Sequence, residues 1–184
     1  MLPGETSFLT LRLHGSIPAA TARELKAALT QAQAAGTDHR RAQKQFFAAY
    51  DAVLDRAPID PQYFDNEKLA ETLAGELMML EETGFRVHGF AILPNHAHVV
   101  LHLPAGSPLS FAKALDLLHL RTAAQCRRLV RPKLPPEAEF WHVGWFDYPI
   151  EDEAELARIL RYVRGNAARA GLPARFQDWP YVSA

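Results

Sequence analysis

Two histidines, His96 and His98, stand two positions apart in a stretch whose residues alternate in the manner of a β-strand. Side chains two positions apart on a strand point to the same face of the sheet, so both imidazoles can reach one metal ion. The same spacing also fits ordinary histidines on a sheet surface, and the chain contains eight histidines in all. The pair by itself indicates a candidate metal site and leaves both interpretations open.

A second group of polar residues follows one face of a helix predicted near the end of the chain. Beside the apolar stripe of that helix, at steps of four, four and three, lie Arg158, Tyr162, Asn166 and Arg169. A tyrosine can act as a nucleophile, an amide oxygen can ligate a metal, and guanidinium groups bind phosphates. The alternative is a tyrosine at the edge of the core with its amide and arginine neighbours in solvent.

The elements that must position these groups begin with a strand over Ser7 to Leu13, which Gly15, Ser16 and Pro18 end. Residues 19 to about 57 are rich in helix-forming side chains and are interrupted once, at Gly36-Thr37, which predicts two helices. A third helix is predicted from about Asn66 to Glu82.

The second half of the chain predicts a hairpin of two strands, 85–93 and 97–103, joined through Pro94, Asn95 and His96. A helix with an apolar stripe follows over 108–131, then a strand over 141–150 and a helix that ends at Gly171. Strands that alternate with helices and include a hairpin indicate an α+β sandwich close to the ferredoxin-like arrangement, with helices on a mainly antiparallel sheet.

Composition indicates one domain over residues 1–184, in which the helical region 19–83 resembles an insertion between the first strand and the histidine hairpin. The chain is 48% hydrophobic, and a chain of 184 residues buries roughly 70% of its unfolded surface. The single cysteine, Cys126, and the absence of a leader or an apolar run of ~18 residues predict a cytoplasmic protein without a membrane segment. The net charge is −1, but residues 84–184 carry 12 basic and 9 acidic side chains, so phosphates are expected there.

The two polar groups together resemble a known family. The run VHGFAILPNHAHVVLHLP is similar to the HUH signature of single-tyrosine transposases of the IS200-like kind. The run FWHVGWFDYPIEDEAELARILRYVRGNAARAGLP, followed by DWPYVSA, resembles the matching signature around the catalytic tyrosine. The opening FLTLRLHGSIP resembles the subgroup associated with repetitive extragenic palindromes (REP), the REP-associated tyrosine transposases. Residues 19–83 contribute least to the resemblance.

The resemblance implies a metal-dependent endonuclease and strand transferase of single-stranded or hairpin DNA. It assigns Tyr162 as the nucleophile that forms a 5′-phosphotyrosine intermediate, and His96, His98 and Asn166 as ligands of Mg²⁺ or Mn²⁺. It also implies a bacterial, chromosome-associated protein that is a monomer rather than a dimer. Two positions depart from the family pattern, because Ala167 stands where proline is common and His119 stands where lysine is usual.

Phosphate contacts are expected from basic side chains of the C-terminal half. The candidates are Arg121, Arg127, Arg128, Arg131, Arg158, Arg164, Arg169, Arg175 and His119. The three tryptophans, Trp141, Trp145 and Trp179, are candidates for base stacking, although a place in the core is the commoner role for each.

Other functions fit parts of the same pattern. A domesticated DNA-binding or regulatory protein would keep the fold and bind hairpins without cleaving them. A sheet-based RNA-binding module would place aromatic residues on its central strands, where this chain has histidines. A zinc hydrolase needs a third strong ligand beside His96 and His98, and the sequence shows none near them.

Overall fold

The computed structural model describes residues 1–55 and 61–183. Three short 3-10 helices accompany the main elements. In chain order the main elements are β1 (Thr6–Arg12), α1 (Ala19–Ala34), α2 (His39–Asp55), α3 (Glu67–Met79), β2 (Arg86–Leu93), β3 (His96–His102), α4 (Phe111–Leu129), β4 (Phe146–Ile150), α5 (Glu153–Arg169) and β5 (Val182–Ser183).

A five-stranded antiparallel sheet organises the chain, with strand order β4-β1-β3-β2-β5. Strand β3 lies at its centre and pairs with β1 over seven positions, from Thr6 opposite His102 to Arg12 opposite His96. On its other side β3 forms the expected hairpin with β2. The β1-helix-β2-β3-α4-β4 sequence of elements confirms the predicted α+β, ferredoxin-like class.

One face of the sheet packs against α3 and α4 and forms the larger part of the core. Alternate strand residues, among them Leu9, Leu11, Ala97, Val99 and Leu101, contact the apolar stripes of these two helices. All five strand residues are fully buried. Cys126 of α4 lies in the same cluster, as expected of a small apolar side chain.

The opposite face of the sheet packs against α5 and α2. Phe8 and Val100 of the sheet contact Ile159 and Val163 of α5, and Phe47 of α2 packs against the same cluster. Because residues alternate along β3, this face also carries His96 and His98. The two helices that cover the histidines come from sequence positions more than 90 residues apart.

Helices α2 and α5 are joined by a cluster of charges around Glu155, whose side chain is 5% exposed. Arg40 and Lys44 of α2 and Arg158 of α5 all contact its carboxylate. Burial acts to raise the pKa of Glu155, but the hydrogen bonds from Lys44 and from the Glu151 backbone, with the charges of Lys44 and Arg40, lower it. The charge cluster thus holds α2 against the beginning of α5.

The sequence-based boundaries differ from the observed ones in two places. The strand expected over 141–150 is confined to β4, because Gly144 adopts a positive φ of 80° and only an isolated bridge joins Trp141 to Leu13. The two-residue strand β5 was not expected. The helices expected over 19–57 are α1 and α2, and positions 56 and 57 lie outside the described residues. No helix of the described chain is long and apolar enough to span a bilayer.

We expect Glu155→Gln to lower the free energy of unfolding at pH 7 by about 3 kcal/mol, because it leaves three cations around a neutral, buried side chain. Since the pKa of Glu155 is lowered on folding, the wild-type advantage should shrink as the pH falls below the ordinary value of 4.5. The measurement is urea unfolding from pH 7 to pH 3.

The control is Glu153→Gln, an exposed neighbour in the first turn of α5, which should change stability by less than about 1 kcal/mol. Equal effects of the two substitutions would contradict a structural role for the charge cluster.

Candidate functional site

His96 and His98 lie side by side on β3, as the two-residue spacing predicts. Their exposed fractions are 1% and 0%. The two Nε2 atoms are 3.3 Å apart, and the ring centroids are separated by 4.8 Å. The rings are therefore buried and convergent, which is the arrangement expected of metal ligands rather than of sheet-surface histidines.

Neighbouring polar groups fix the orientation of both rings. The amide nitrogen of Asn95 donates to the Leu54 carbonyl, so the amide oxygen faces Nδ1 of His96 at 2.7 Å. An amide oxygen only accepts, which makes Nδ1 the donor and leaves Nε2 of His96 with a free lone pair. Nδ1 of His98 lies 3.0 Å from the Thr10 hydroxyl, which holds the second ring. Partners of this kind on the far nitrogen are typical of metal-binding histidines.

Burial keeps His96 neutral. Burial, with a smaller contribution from the neighbouring His98 ring, lowers the pKa of His96 from 6.5 to about 3. A neutral imidazole is the form that binds a metal ion.

Asp51 of α2 completes a group of three possible metal ligands. One of its carboxylate oxygens, Oδ1, lies 2.8 Å from Nε2 of His98, and the ligand atoms of Asp51, His96 and His98 all lie within 4.8 Å of one another. The Tyr162 hydroxyl donates a hydrogen bond to the other oxygen, Oδ2. Burial acts to raise the pKa of Asp51, but the contact with His98 and nearby positive charge lower it.

The sequence shows no third strong ligand near the histidine pair, and the fold supplies one in Asp51. Asp51 is 45 positions from His96 in the chain, in the region that carries the least family resemblance, and only the packing of α2 on the sheet brings them together. One local signal exists: Phe47, Asp51 and Leu54 are spaced by four and three residues on the inner face of an amphipathic helix. A carboxylate in an apolar stripe is costly to bury unless it has a partner.

Tyr162 of α5 lies against His98, and Asn166 follows one turn along the same face of the helix. The Tyr162 ring is half-buried, its centroid is 5.7 Å from that of His98, and the Arg169 guanidinium lies 4.0 Å from its centre. Asn166 is fully buried, and neither its amide oxygen nor its amide nitrogen has a hydrogen-bond partner. An unsatisfied buried amide of this kind is rare in proteins, and its oxygen is available to ligate a metal ion.

Apart from Arg175, the basic residues expected to contact DNA fall into two sets. Arg158, Arg164 and Arg169 are exposed on α5, on the tyrosine side of the sheet. The second set lies on or just after α4, which packs on the opposite face of the sheet, and comprises Arg121, Arg127, Arg128, Arg131 and His119. The structure therefore does not bring the second set together with Tyr162.

Several members of the second set have structural partners. Arg127 donates to the backbone carbonyls of Pro135, Pro136 and Ala138, and Arg131 donates to those of Arg128 and Val130. The His119 ring stacks on Trp141, with an interplanar angle of 12°. Away from α4, Arg175 pairs with Asp65.

The three tryptophans differ in their exposure to solvent. Trp141 is 6% exposed and belongs to the core on the α4 side, where its Nε1 donates to the Thr122 hydroxyl. Trp145 packs at the edge of the same core. Trp179 is 57% exposed, and of the three it alone has a large exposed ring surface that a base can stack on.

Comparison with known proteins supplies a relative and a solved structure. No family model matches the chain. A curated protein of Haemophilus influenzae, named a putative REP-associated tyrosine transposase, is 26% identical over 110 residues, which cover 56% of this chain and 61% of the relative. In sequence the chain resembles the REP-associated tyrosine transposases. The match spans less than two thirds of that relative's length.

The fold agrees with this resemblance. A solved REP-associated tyrosine transposase bound to a REP hairpin superposes on 98% of this chain and 77% of its own, with a TM-score of 0.52 and 14% identity. At that identity the likeness concerns the fold alone. It covers nearly the whole chain, including the helical region 19–83 in which sequence resemblance is weakest.

We expect the His119 ring, whose Nε2 is buried without a hydrogen-bond partner, to make the protein sensitive to acid. Burial lowers the pKa of His119 from 6.5 to about 4, so between these pH values the unfolded chain binds a proton that the folded chain does not. The stability of the wild type should therefore fall by about 2 kcal/mol more than that of His119→Gln between pH 7 and pH 4.5.

Urea unfolding of both proteins at the two pH values measures this difference. The exposed His39 serves as the control, because His39→Gln should follow the wild-type profile. Parallel pH profiles of wild type and His119→Gln would contradict the burial of a neutral ring.

Proposed function

We propose that this protein is a metal-dependent endonuclease and strand transferase of single-stranded DNA, with Tyr162 as the nucleophile. The observation that carries the proposal is the link between Tyr162 and the buried histidine pair. The Tyr162 hydroxyl donates to the carboxylate of Asp51, and the same carboxylate contacts His98. The name of the curated relative and the REP hairpin bound by the solved neighbour support hairpin or repeat-associated DNA as the substrate.

The side chains present fit a divalent metal ion. Cis ligands around an octahedral ion at ~2.1 to 2.3 Å are separated by about 3 Å, and the two Nε2 atoms are 3.3 Å apart. The unsatisfied amide oxygen of Asn166 supplies a further donor. We propose His96, His98 and Asn166 as ligands of Mg²⁺ or Mn²⁺. The bound ion would polarise the scissile phosphate and offset charge that develops on its oxygens.

The tyrosine would act as the nucleophile in an exchange of phosphate esters. The phenolic oxygen forms a bond to phosphorus, the bond from phosphorus to the 3′ oxygen breaks, and the released strand end carries the proton as a 3′-hydroxyl. The product is a 5′-phosphotyrosine link, so the bond is conserved and later attack by a 3′-hydroxyl rejoins DNA.

We propose that DNA approaches the site from the side of α5. The histidines are closed off by α2 and α5, whereas Tyr162 is half-buried and shares its face of α5 with the exposed Arg158 and Arg169. Arg161 and Arg164 are exposed on other faces of the same helix. The arginines give α5 a basic surface suited to the phosphates of a single strand, and binding should weaken with salt.

The residues that we propose for this reaction all belong to one chain. Tyr162 and His98 belong to the same molecule, with their ring centroids 5.7 Å apart, so no second subunit has to supply the tyrosine. We therefore propose a single-domain monomer that acts on chromosomal DNA in the bacterial cytoplasm.

The alternative is a protein that binds hairpins without cleaving them. It predicts the same DNA binding but no covalent product. The buried, unsatisfied Asn166 and the convergent histidines favour the enzyme, because a pure binding protein has no use for these costly buried groups.

We expect Tyr162→Phe to abolish the covalent protein-DNA product while leaving DNA affinity within about twofold of the wild type. The measurement uses labelled hairpin oligonucleotides from the flanks of the gene, with Mn²⁺, Mg²⁺ or EDTA, resolved on a denaturing gel. Tyr148→Phe is the matched control, since Tyr148 lies in the same aromatic cluster on β4 and should retain cleavage.

The proposal is supported if a metal-dependent covalent band forms with the wild type and with Tyr148→Phe but not with Tyr162→Phe. A band that persists in Tyr162→Phe would exclude this nucleophile. DNA binding without any covalent band across the flanking substrates would instead favour the non-cleaving alternative.

A further inference from the structure

We infer that Asp51 is a fourth protein ligand of the metal ion, beside His96, His98 and Asn166, so that helix α2 forms part of the active site. The inference rests on the proposed metal site, to which it adds a carboxylate that the family resemblance does not assign. It also gives the α1–α2 helical pair, residues 19–55, a direct role beyond covering the sheet.

The position of the carboxylate fits ligation. Oδ1 of Asp51 lies 2.8 Å from Nε2 of His98, close to the separation of about 3 Å between cis ligands of an octahedral ion. The Nε2 atom of His96 is 3.3 Å from that of His98, and all three ligand atoms lie within 4.8 Å of one another. Two imidazoles and a carboxylate grouped in this way leave the remaining positions of an ion open.

The hydrogen bonds of the carboxylate also favour a bound cation. Oδ2 accepts from the Tyr162 hydroxyl, whereas Oδ1 faces Nε2 of His98 at 2.8 Å, and Asp51 is only 6% exposed. A buried carboxylate is costly unless positive charge lies beside it, and the neighbouring imidazoles are neutral when they act as ligands. A divalent ion held by Oδ1 and the two Nε2 atoms would supply that charge.

Asp51 would thereby join three parts of the site. Its Oδ1 faces the metal position, its Oδ2 holds the nucleophile, and its backbone belongs to α2, which Phe47 and the Glu155 charge cluster fix against α5. The tyrosine is then positioned relative to the ion by two routes, through Asp51 and through Asn166 one helical turn along α5. Metal binding should in turn strengthen the packing of α2 on the sheet.

The test is calorimetric titration of the full chain with Mn²⁺ alone, without DNA. We expect Asp51→Asn to raise the Kd for Mn²⁺ at least tenfold, because it removes the charge of the ligand while keeping its size and an oxygen that can accept from Tyr162. The control is Asp116→Asn, an exposed carboxylate on α4 across the sheet, which should keep the wild-type Kd. Thermal unfolding in EDTA establishes that each variant is folded.

A second readout is amide hydrogen exchange. Mn²⁺ should slow exchange in α2 of the wild type and leave it unchanged in Asp51→Asn. If Asp51→Asn does not fold, Asp51→Glu retains a carboxylate and should keep metal-dependent protection of α2, whereas Asp51→Ala should lose it. A Kd for Asp51→Asn within twofold of the wild type, or exchange in α2 that does not respond to Mn²⁺, would overturn the inference.

The two proposals fail in different ways. Loss of Mn²⁺ affinity in Asp51→Asn, combined with no covalent DNA product in the wild type, would keep the ligand and reject the nuclease. A Tyr162-dependent covalent product with unchanged Mn²⁺ affinity in Asp51→Asn would keep the nuclease and reject the ligand.

Discussion

The alternation of side chains along β3 is the constraint on which the site depends. His96 and His98 point to one face of the central strand, while Ala97 and Val99 point to the core on the other. A shift of register by one residue would turn both histidines into the core and bring apolar side chains into the site. The seven-position pairing of β3 with β1 and the hairpin with β2 exclude that shift.

The second requirement is the removal of water from the histidine face. Phe8, Phe47 and Tyr162 surround His98, and burial is the main reason that the pKa of His96 falls to about 3. In such surroundings polar groups need partners, and Asn95 and Thr10 supply them for the outer nitrogens of the two rings. The same burial makes a carboxylate beside the rings costly, unless it is hydrogen-bonded and close to positive charge.

Helices α2 and α5 close this face from distant parts of the chain, and the charge cluster at Glu155 connects them. Arg40, Lys44 and Arg158 share one buried carboxylate at the beginning of α5, while Asp51 and Tyr162 meet about two turns further along each helix. The two contacts fix both the position and the rotation of α2. Asp55, one turn beyond Asp51, is affected by the same crowding: burial and the charge of Asp51 raise its pKa to about 6.

The sequence by itself determined most of the helices and strands and two groups of site residues, the His96 and His98 pair and the Tyr162 and Asn166 pair, each of which lies within a short stretch of chain. Period-two alternation predicted β1, β2 and β3, and helical periodicity placed Tyr162 and Asn166 on one face of α5, since these patterns depend only on neighbouring residues. The short β4, the added β5, and the separation of α4 and its basic residues from Tyr162 were decided by packing across the sheet. Packing also decided the position of Asp51 beside the histidines, because a contact between residues 45 positions apart produces no recognisable spacing pattern in the sequence. An Asp in the inner stripe of α2 was the local sign, and its partner exists only after the helix has docked on the sheet.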